Sequence, residues 1–320
     1  GVGKKCRACE FAYSSDPTRR REEVQRGLRS GRDDCWKNAT GRPLDPDRPT
    51  VLEIWNFLHA DEMIGRKKYY LADIDKGDLG EGKRVARQWM QVDKARRADP
   101  KPWIDRKGLS AEMGAWKYPL HFIDFETSRV AIPFNKGRRP YEQIAFQFSH
   151  HEVEKGGGIV HKGQWLETTP GRFPNFDFVR ALRKELAGDE GSVFCYSHHE
   201  NTVLNEIARQ LEASAEKDRR ELVAWIRTVT RRKLQGNKEE ERGPRCMVDM
   251  CKLVIDHHYD PYTHGSNSLK AVLPAIIHSS AWLRDRYAKP VYGTPQMPSL
   301  NYATWAWIQP QHGNDPYRTL

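Results

Sequence analysis

Two carboxylates, Asp124 and Glu126, follow a short apolar run that begins at Leu120. On a β-strand, alternate side chains point to the same face, so both acids share one face while Phe125 packs on the other. Mg²⁺ and Mn²⁺ prefer oxygen ligands, and two acids near a strand end can share such an ion. The spacing therefore indicates metal-assisted phosphoryl chemistry. The alternative interpretation is an exposed polar strand edge.

Two further acids stand in similar surroundings. Glu200 follows the strand-like segment 192–196 and opens a helix that begins near Asn201. Such a junction lies at the mouth of an α/β sheet, where sites gather, although an acid there also suits the dipole of a helix N-terminus. Asp249 interrupts an apolar run, and a carboxylate in that setting needs a partner or a metal.

The elements that must position these acids follow from hydrophobic periodicity. Alternating or apolar runs predict strands at 119–124, 143–149, 158–166 and 192–196. Amphipathic spacing predicts helices at 176–187, 201–212 and 267–277. The charge-dense stretch 213–245 predicts a solvated helix and loop. The order of elements indicates an α/β fold built on a mixed α+β sheet.

The composition of the chain indicates what kind of partner it binds and where it is located. The chain has 320 residues, 30% of them charged, and a formal net charge of +10, which favours a polyanionic partner. No apolar run approaches the ~20 residues that span a bilayer, and the N-terminal residues show no secretory signal. The short apolar runs predict no membrane association, and six cysteines without a disulfide framework predict a cytoplasmic location.

The acids together resemble the DnaQ-like (DEDD) exonucleases, which have an RNase H-like fold. The D-x-E motif of that superfamily matches Asp124 and Glu126, and its second acid falls at Glu200, where Glu replaces the usual Asp. Asp249 and the segment 267–269 (Asn-Ser-Leu) resemble a later strand and helix. The resemblance implies Asp124, Glu126, Glu200 and Asp249 as catalytic residues, and Asp124, Glu126 and Glu200 as ligands of Mg²⁺ or Mn²⁺. The general base stays open, with His198 and His199 nearby.

A closer resemblance is to a bacterial domain family of unknown function. It rests on the motifs at 123–127, 131–133, 140–144 and 265–275, and covers roughly residues 115–320. DEDD enzymes also carry an Asp on a final helix, and no helix follows Asn314. We therefore expect that acid to lie beyond Leu320, in a longer parent chain.

The N-terminal cysteines Cys6, Cys9 and Cys35 form a three-member set. They resemble the C-terminal cysteine cluster of RecB-like nucleases of the AddB type, which binds a [4Fe–4S] cluster with one upstream cysteine that this chain lacks. Reduced, free thiols are the alternative. The expected domains are a cysteine-bearing tail at 1–40, a basic helical connection with a proline-rich start at 41–115, and an RNase H-like domain at 116–320.

The leading prediction is a metal-dependent nuclease of the 3′–5′ exonuclease class, which hydrolyses DNA or RNA by a two-metal mechanism. A catalytically inactive nucleic-acid-binding module of the same fold is the first alternative. A basic scaffold for protein partners in a repair or defence complex is the second.

Overall fold

A computed structural model describes residues 1–14, 17–233, 240–291, 293–295, 302, 304–309 and 315–318. The α-helices are α1 Pro17–Gln25, α2 Gly31–Thr40, α3 Ala60–Gly65, α4 Val85–Arg96, α5 Arg106–Gly114, α6 Asn175–Glu185, α7 His199–Glu212, α8 Arg219–Val229, α9 Met250–His257, α10 Leu269–Ser279 and α11 Ala281–Tyr287. The strands are β1 Trp103–Ile104, β2 Leu120–Ser128, β3 Ile144–Val153, β4 Ile159–Leu166, β5 Val193–Cys195, β6 Arg231–Lys233, β7 Glu240–Arg242, β8 Val248–Asp249 and β9 His258–Tyr259.

The chain divides into two compact units, each built from two stretches of sequence. Unit 1 comprises Gly1–Ile104 and His258–Ser279, and unit 2 comprises Asp105–His257 and Ser280–Leu320. The functional assignment of the predicted domains 1–40, 41–115 and 116–320 stays a prediction. The Asn267–Leu269 segment, which carried part of the exonuclease resemblance, belongs to unit 1, whereas all four candidate acids belong to unit 2.

Unit 1 is mainly helical and has its own apolar core. Trp36, Ile54, Met63 and Ile74 are buried in this core, which α4 helps to cover. Gly265 begins the predicted Gly-Ser-Asn-Ser-Leu motif at a positive φ of 74°, and a Cβ there would lie 1.7 Å from the backbone oxygen of Glu53. Only glycine fits that backbone conformation and close approach.

Unit 2 contains a five-stranded mixed sheet in the order β4-β3-β2-β5-β8. Strand β3 is antiparallel to both β2 and β4, whereas β5 runs parallel to β2 and β8 runs parallel to β5. The predicted α/β class with a mixed sheet is therefore confirmed. The finer RNase H-like designation stays a prediction.

The core of unit 2 forms where α6, α7 and α8 pack against one face of the sheet. Phe125 of β2 is buried there and meets Phe178 of α6 edge to face at 4.8 Å between ring centroids. Leu204 and Ile207 of α7 are fully buried in the same core. Packing, the expected role of Phe125, is confirmed.

The stretch 213–245 differs from the predicted solvated helix and loop. Within it, α8 buries Leu222, Val223, Ile226 and Val229 in the core of unit 2. These residues repeat at helical spacing, but dense flanking charge hides them in the composition of the window. The helix predicted in this stretch is present, but the prediction that it is solvated was wrong for its apolar face. Residues 234–239 of the stretch lie outside the described residues.

Among the described residues, no helix combines the length and the apolar character that a membrane crossing requires. A cytoplasmic location stays a prediction.

Candidate active site

The first two acids lie on β2, and the strand extends past both of them. Asp124 and Glu126 are exposed, while their neighbour Phe125 is buried, so the predicted alternation of faces is present. Asp124 pairs with Ser149 across the antiparallel ladder, and the register shifts just after Glu126. A register shift of this kind is a β-bulge, which changes the direction of the side chains that follow it. The two acids therefore share one open face of the sheet.

Glu200 lies in the first turn of α7, and its side chain is buried although it carries an acid. It is 3% exposed, and within the described structure its Oε2 atom has no hydrogen-bond partner. Burial raises the pKa of Glu200 to about 7, and the negative charges of Asp124 and Asp249 contribute to the rise. The backbone N–H groups of Glu200 and Phe125 act in the opposite direction. Glu200 therefore lies beside the part of β2 that carries Asp124.

Asp249 ends β8, next to Cys195 of β5 in the parallel ladder. Its Oδ1 accepts hydrogen bonds from the backbone N–H groups of Ser197, at 2.9 Å, and Lys252, at 3.2 Å. Its Oδ2 faces the guanidinium of Arg231 at 3.3 Å. These bonds fix Asp249 in place. They also hold the turn between β5 and α7, where Ser197 has a positive φ of 77°.

The arrangement concentrates negative charge around a buried carboxylate with one oxygen that lacks a hydrogen-bond partner. Burying an incompletely satisfied acid is costly, and a divalent cation with oxygen ligands removes that cost. The donor set therefore fits Mg²⁺ or Mn²⁺. Within the described part of the chain, Asp124, Glu126 and Glu200 do not each bring an oxygen within 4.8 Å of the others. Shared coordination of one ion by all three acids would therefore require these side chains to move closer together.

The C-terminal 3-10 helix Pro316–Arg318 brings groups to this site that the sequence did not single out. Burial raises the pKa of Tyr317, and the charges of Asp315 and Asp124 raise it further. Tyr317 also contributes to the raised pKa of Tyr196, for which burial is the main cause. Tyr317 therefore lies near Asp124, and it also neighbours Asp315 and Tyr196.

The histidines at the start of α7 were left open as general bases. The Nε2 atom of His199 lies 3.3 Å from the hydroxyl of Thr127 on β2. Nδ1 of His198 lies 3.0 Å from the hydroxyl of Ser197. Both rings are therefore at the rim formed by β2 and the start of α7, and His199 is the one in contact with β2.

A second group of ionisable side chains, which sequence reasoning missed, lies on the other face of the sheet. His121 of β2 and His150 and Glu152 of β3 are buried, with one ligand atom of each within 4.8 Å of the others. Burial lowers the pKa of His150. The only sequence signal was a histidine inside each of two apolar strands.

The three N-terminal cysteines occur in unit 1. Cys6 is half-buried and packs against the apolar core, Cys9 is half-buried, and Cys35 is exposed on α2. All three are free thiols. A [4Fe–4S] cluster bound by Cys6, Cys9 and Cys35 stays a prediction.

A cleft of about 510 Å³ opens along α7 and β6. Five cationic side chains and three carboxylates line it. Arg231 belongs both to this cleft and to the ion pair with Asp249. The cleft therefore has a positive balance and connects to the acidic site through one residue.

One comparison with known proteins gives a match to a protein family. Residues 121–268 match the model of a domain of unknown function (DUF2779), which agrees with the predicted resemblance to a bacterial family of that kind. No curated protein matches the chain, and no solved structure matches it. The resemblances to DnaQ-like exonucleases and to a RecB-like tail receive no support from these comparisons.

Proposed function

We propose that the protein is a metal-dependent nuclease that hydrolyses phosphodiester bonds in DNA or RNA, in the 3′–5′ exonuclease class. The observation that carries the proposal is the buried Glu200 carboxylate, which has an oxygen without a partner and lies next to Asp124 and Asp249. Bringing three acids together from β2, β8 and α7 costs stability unless a cation binds there. Cation binding explains why these three acids lie together, whereas packing of the core does not.

The side chains take different parts in this reaction. Bound Mg²⁺ or Mn²⁺ would polarise the phosphate and lower the pKa of an attacking water. Asp124, Glu126 and Glu200 would hold the cations, and the exposure of the first two leaves them open to substrate. Asp249 is held in place by Arg231 and by backbone N–H groups. It would therefore add negative charge to the site without binding the cations directly.

The substrate class follows from charge. A net charge of +10 and the positive balance of the cleft beside α7 suit a polyanion. Phe134 is 68% exposed in the loop after β2, which suits stacking on a base. These features support nucleic acid and do not distinguish DNA from RNA.

The direct test is degradation of 5′-labelled oligonucleotides in Mn²⁺. We expect shortening from the 3′ end, and the variant Asp124→Asn should lose about a hundredfold or more in rate, as when a charged group that acts on the transition state is removed. Glu154→Gln, at the exposed turn between β3 and β4, is the matched control and should keep full activity. Equal rates for wild type and Asp124→Asn would disprove the assignment.

The runner-up is a catalytically inactive module that binds nucleic acid. It is favoured by the separation of the carboxylates, because three oxygens do not meet within 4.8 Å in the described structure. This alternative predicts salt-sensitive oligonucleotide binding with no cleavage in any divalent metal. A protein that shows neither binding nor cleavage would instead fit a scaffold for protein partners in a repair or defence complex.

A further inference from the structure

Four buried or half-buried side chains form a continuous chain of contacts under the C-terminal end of α6. Nε2 of His121 lies 2.8 Å from Oδ1 of Asp189, and Nδ1 of His150 lies 3.1 Å from Oε1 of Glu185. Between them, Nδ1 of His121 lies 2.9 Å from Nε2 of His150. Each imidazole therefore has a carboxylate on its outer nitrogen, and its inner nitrogen faces the other ring.

The protons in this chain do not suffice for three hydrogen bonds. Each carboxylate accepts a proton from the outer nitrogen beside it, and a neutral imidazole carries only one N–H. Both inner nitrogens then present lone pairs to each other. An electrophile between them is required, because two lone pairs at this distance repel.

A third donor converges on the same point. An oxygen of Glu152 lies 3.8 Å from Nδ1 of His121, and Glu152 is 6% exposed, while His121 and His150 are 1% and 0% exposed. A single shared proton would satisfy the two nitrogens, but it would not engage this carboxylate, whose other neighbour is the half-exposed Lys162. Two nitrogens bound to one tetrahedral zinc ion lie ~3.3 Å apart, which compares with the 2.9 Å between Nδ1 of His121 and Nε2 of His150.

We propose that His121, His150 and Glu152 bind a zinc-class divalent ion, and that this site is separate from the acidic site. Imidazole nitrogens and one carboxylate are the donors that such ions select, in contrast to the oxygen ligands of Mg²⁺. Asp189 and Glu185 supply the outer hydrogen bonds that orient metal-bound histidines. The proposed zinc site accounts for these five side chains without giving any of them a part in the nuclease reaction.

The position of the site indicates a structural role. His121 stands near the start of β2 and points to the opposite face from Asp124. The ion would join β2 to β3 directly and would hold the end of α6 and the α6–β5 loop through the two outer carboxylates. Gly191 in that loop leaves room for the arrangement, since a Cβ there would lie 2.8 Å from Nε2 of His121.

One charged group competes with the ion. Nζ of Lys162 lies 3.2 Å from Glu152 and is half-exposed. Because it reaches Glu152 from the surface, it can withdraw into solvent when the ion binds. Asp189 is also held by Arg245 at 3.1 Å, so its orientation toward His121 does not depend on the ion.

The test is metal analysis of the full chain after removal of bound metal with a chelator and dialysis against trace ZnCl₂ in excess Mg²⁺. We expect about one zinc ion per chain, and Co²⁺ in its place should give the intense visible bands of a four-coordinate site. Glu185→Gln should weaken zinc binding ~10–100-fold, and His150→Gln should weaken it further. Circular dichroism of each variant checks that the fold persists.

Two controls make the assignment specific. Glu200→Gln should keep its zinc, because it alters only the acidic site. His151→Gln removes the next residue of β3, whose ring pairs with His161 on the opposite face at 3.4 Å, and it should also keep zinc. Loss of zinc in His151→Gln with retention in His150→Gln would move the ion to the other histidine pair and overturn the proposal. Wild-type protein without zinc and without Co²⁺ bands would overturn it outright.

Discussion

Glu200 shows how one residue can report on a binding site. An acid at the start of a helix is ordinarily exposed and helped by the helix dipole, yet Glu200 is buried with one oxygen lacking a partner. Its N-terminal position alone therefore does not explain its surroundings. The neighbouring charges of Asp124 and Asp249 add to the cost of ionising it. A bound cation would offset the burial of this carboxylate, its unpaired oxygen and the repulsion from its acidic neighbours.

Replacing Glu200 by Gln should therefore stabilise the metal-free protein above neutral pH. The folded-state pKa is raised from the ordinary 4.5 to about 7, so between these values the folded state binds more protons than the unfolded state, and stability falls as pH rises. We expect Glu200→Gln to be about 3 kcal/mol more stable than wild type at pH 8 and less than about 1 kcal/mol more stable at pH 5. Urea unfolding at both pH values measures this difference.

The same variant separates metal binding from packing. Mn²⁺ should raise the melting temperature of wild type and leave that of Glu200→Gln almost unchanged, because a ligand stabilises only the state that binds it. Glu206→Gln, farther along α7, should behave as wild type in both measurements. A Mn²⁺ response that survives in Glu200→Gln would place the ion elsewhere.

At the scale of elements, an ion-pair network holds α6 against the start of α8. Arg180 of α6 donates to Asp218, at the N-terminus of α8, and also pairs with Glu216 and Asp177. The Arg180 guanidinium lowers the pKa of Asp218, and Arg172 and Arg180 together lower that of Asp177. This network helps to fix the helix that sequence reasoning had assigned to solvent.

Arg180→Met should destabilise the protein by about 1 kcal/mol near neutral pH, a modest value because the side chains are about one-third exposed. Both acids have lowered folded-state pKa values, so their contribution is complete above the ordinary value of 3.8 and is lost as pH falls through the folded values. The difference from wild type should therefore shrink in strong acid. Chemical unfolding across this pH range measures it.

Arg183→Met provides the comparison for this prediction. Arg183 lies on the same helix and pairs with Glu221, which is 64% exposed, so its loss should change stability by less than about 0.5 kcal/mol. Equal effects for the two substitutions would show that the network around Arg180 adds nothing beyond a single surface pair.

At the scale of the whole molecule, charge is the property that bears on function. A net charge of +10 favours encounter with a polyanion at long range, and salt screens that attraction. Oligonucleotide affinity should fall about ten- to a hundredfold between ~50 and ~200 mM salt, because bound phosphates release counterions. Fluorescence anisotropy with a labelled oligonucleotide in EDTA tests this without cleavage.

Lys233→Gln should reduce the slope of that salt dependence by about one, since Lys233 lines the cleft beside α7. Lys155→Gln, an exposed lysine in the turn between β3 and β4, is the matched control and should leave the slope unchanged. Affinity that does not depend on salt would contradict an electrostatic role for the cleft.

Local sequence was sufficient for several individual elements of unit 2. The predicted strands at 143–149 and 158–166 correspond to β3 and β4, and the helix at 201–212 corresponds to α7. Strand β2 extends four residues past its predicted end at 124, so the two acids lie within it. The last residues of the strand are mostly polar, so their pattern does not predict a strand. Only the pairing with β3 shows that β2 continues.

By itself the sequence determined that Asp124 and Glu126 share a face, because the two-residue period of a strand requires no other part of the chain. Only the tertiary structure decided that Glu200 lies near Asp124 and Asp249, and that His121 meets His150 and Glu152. Those contacts depend on the order of strands in the sheet and on how α7 packs. Contacts between residues far apart in sequence depend on the combined free energy of many weak interactions. A local sequence pattern does not contain that information.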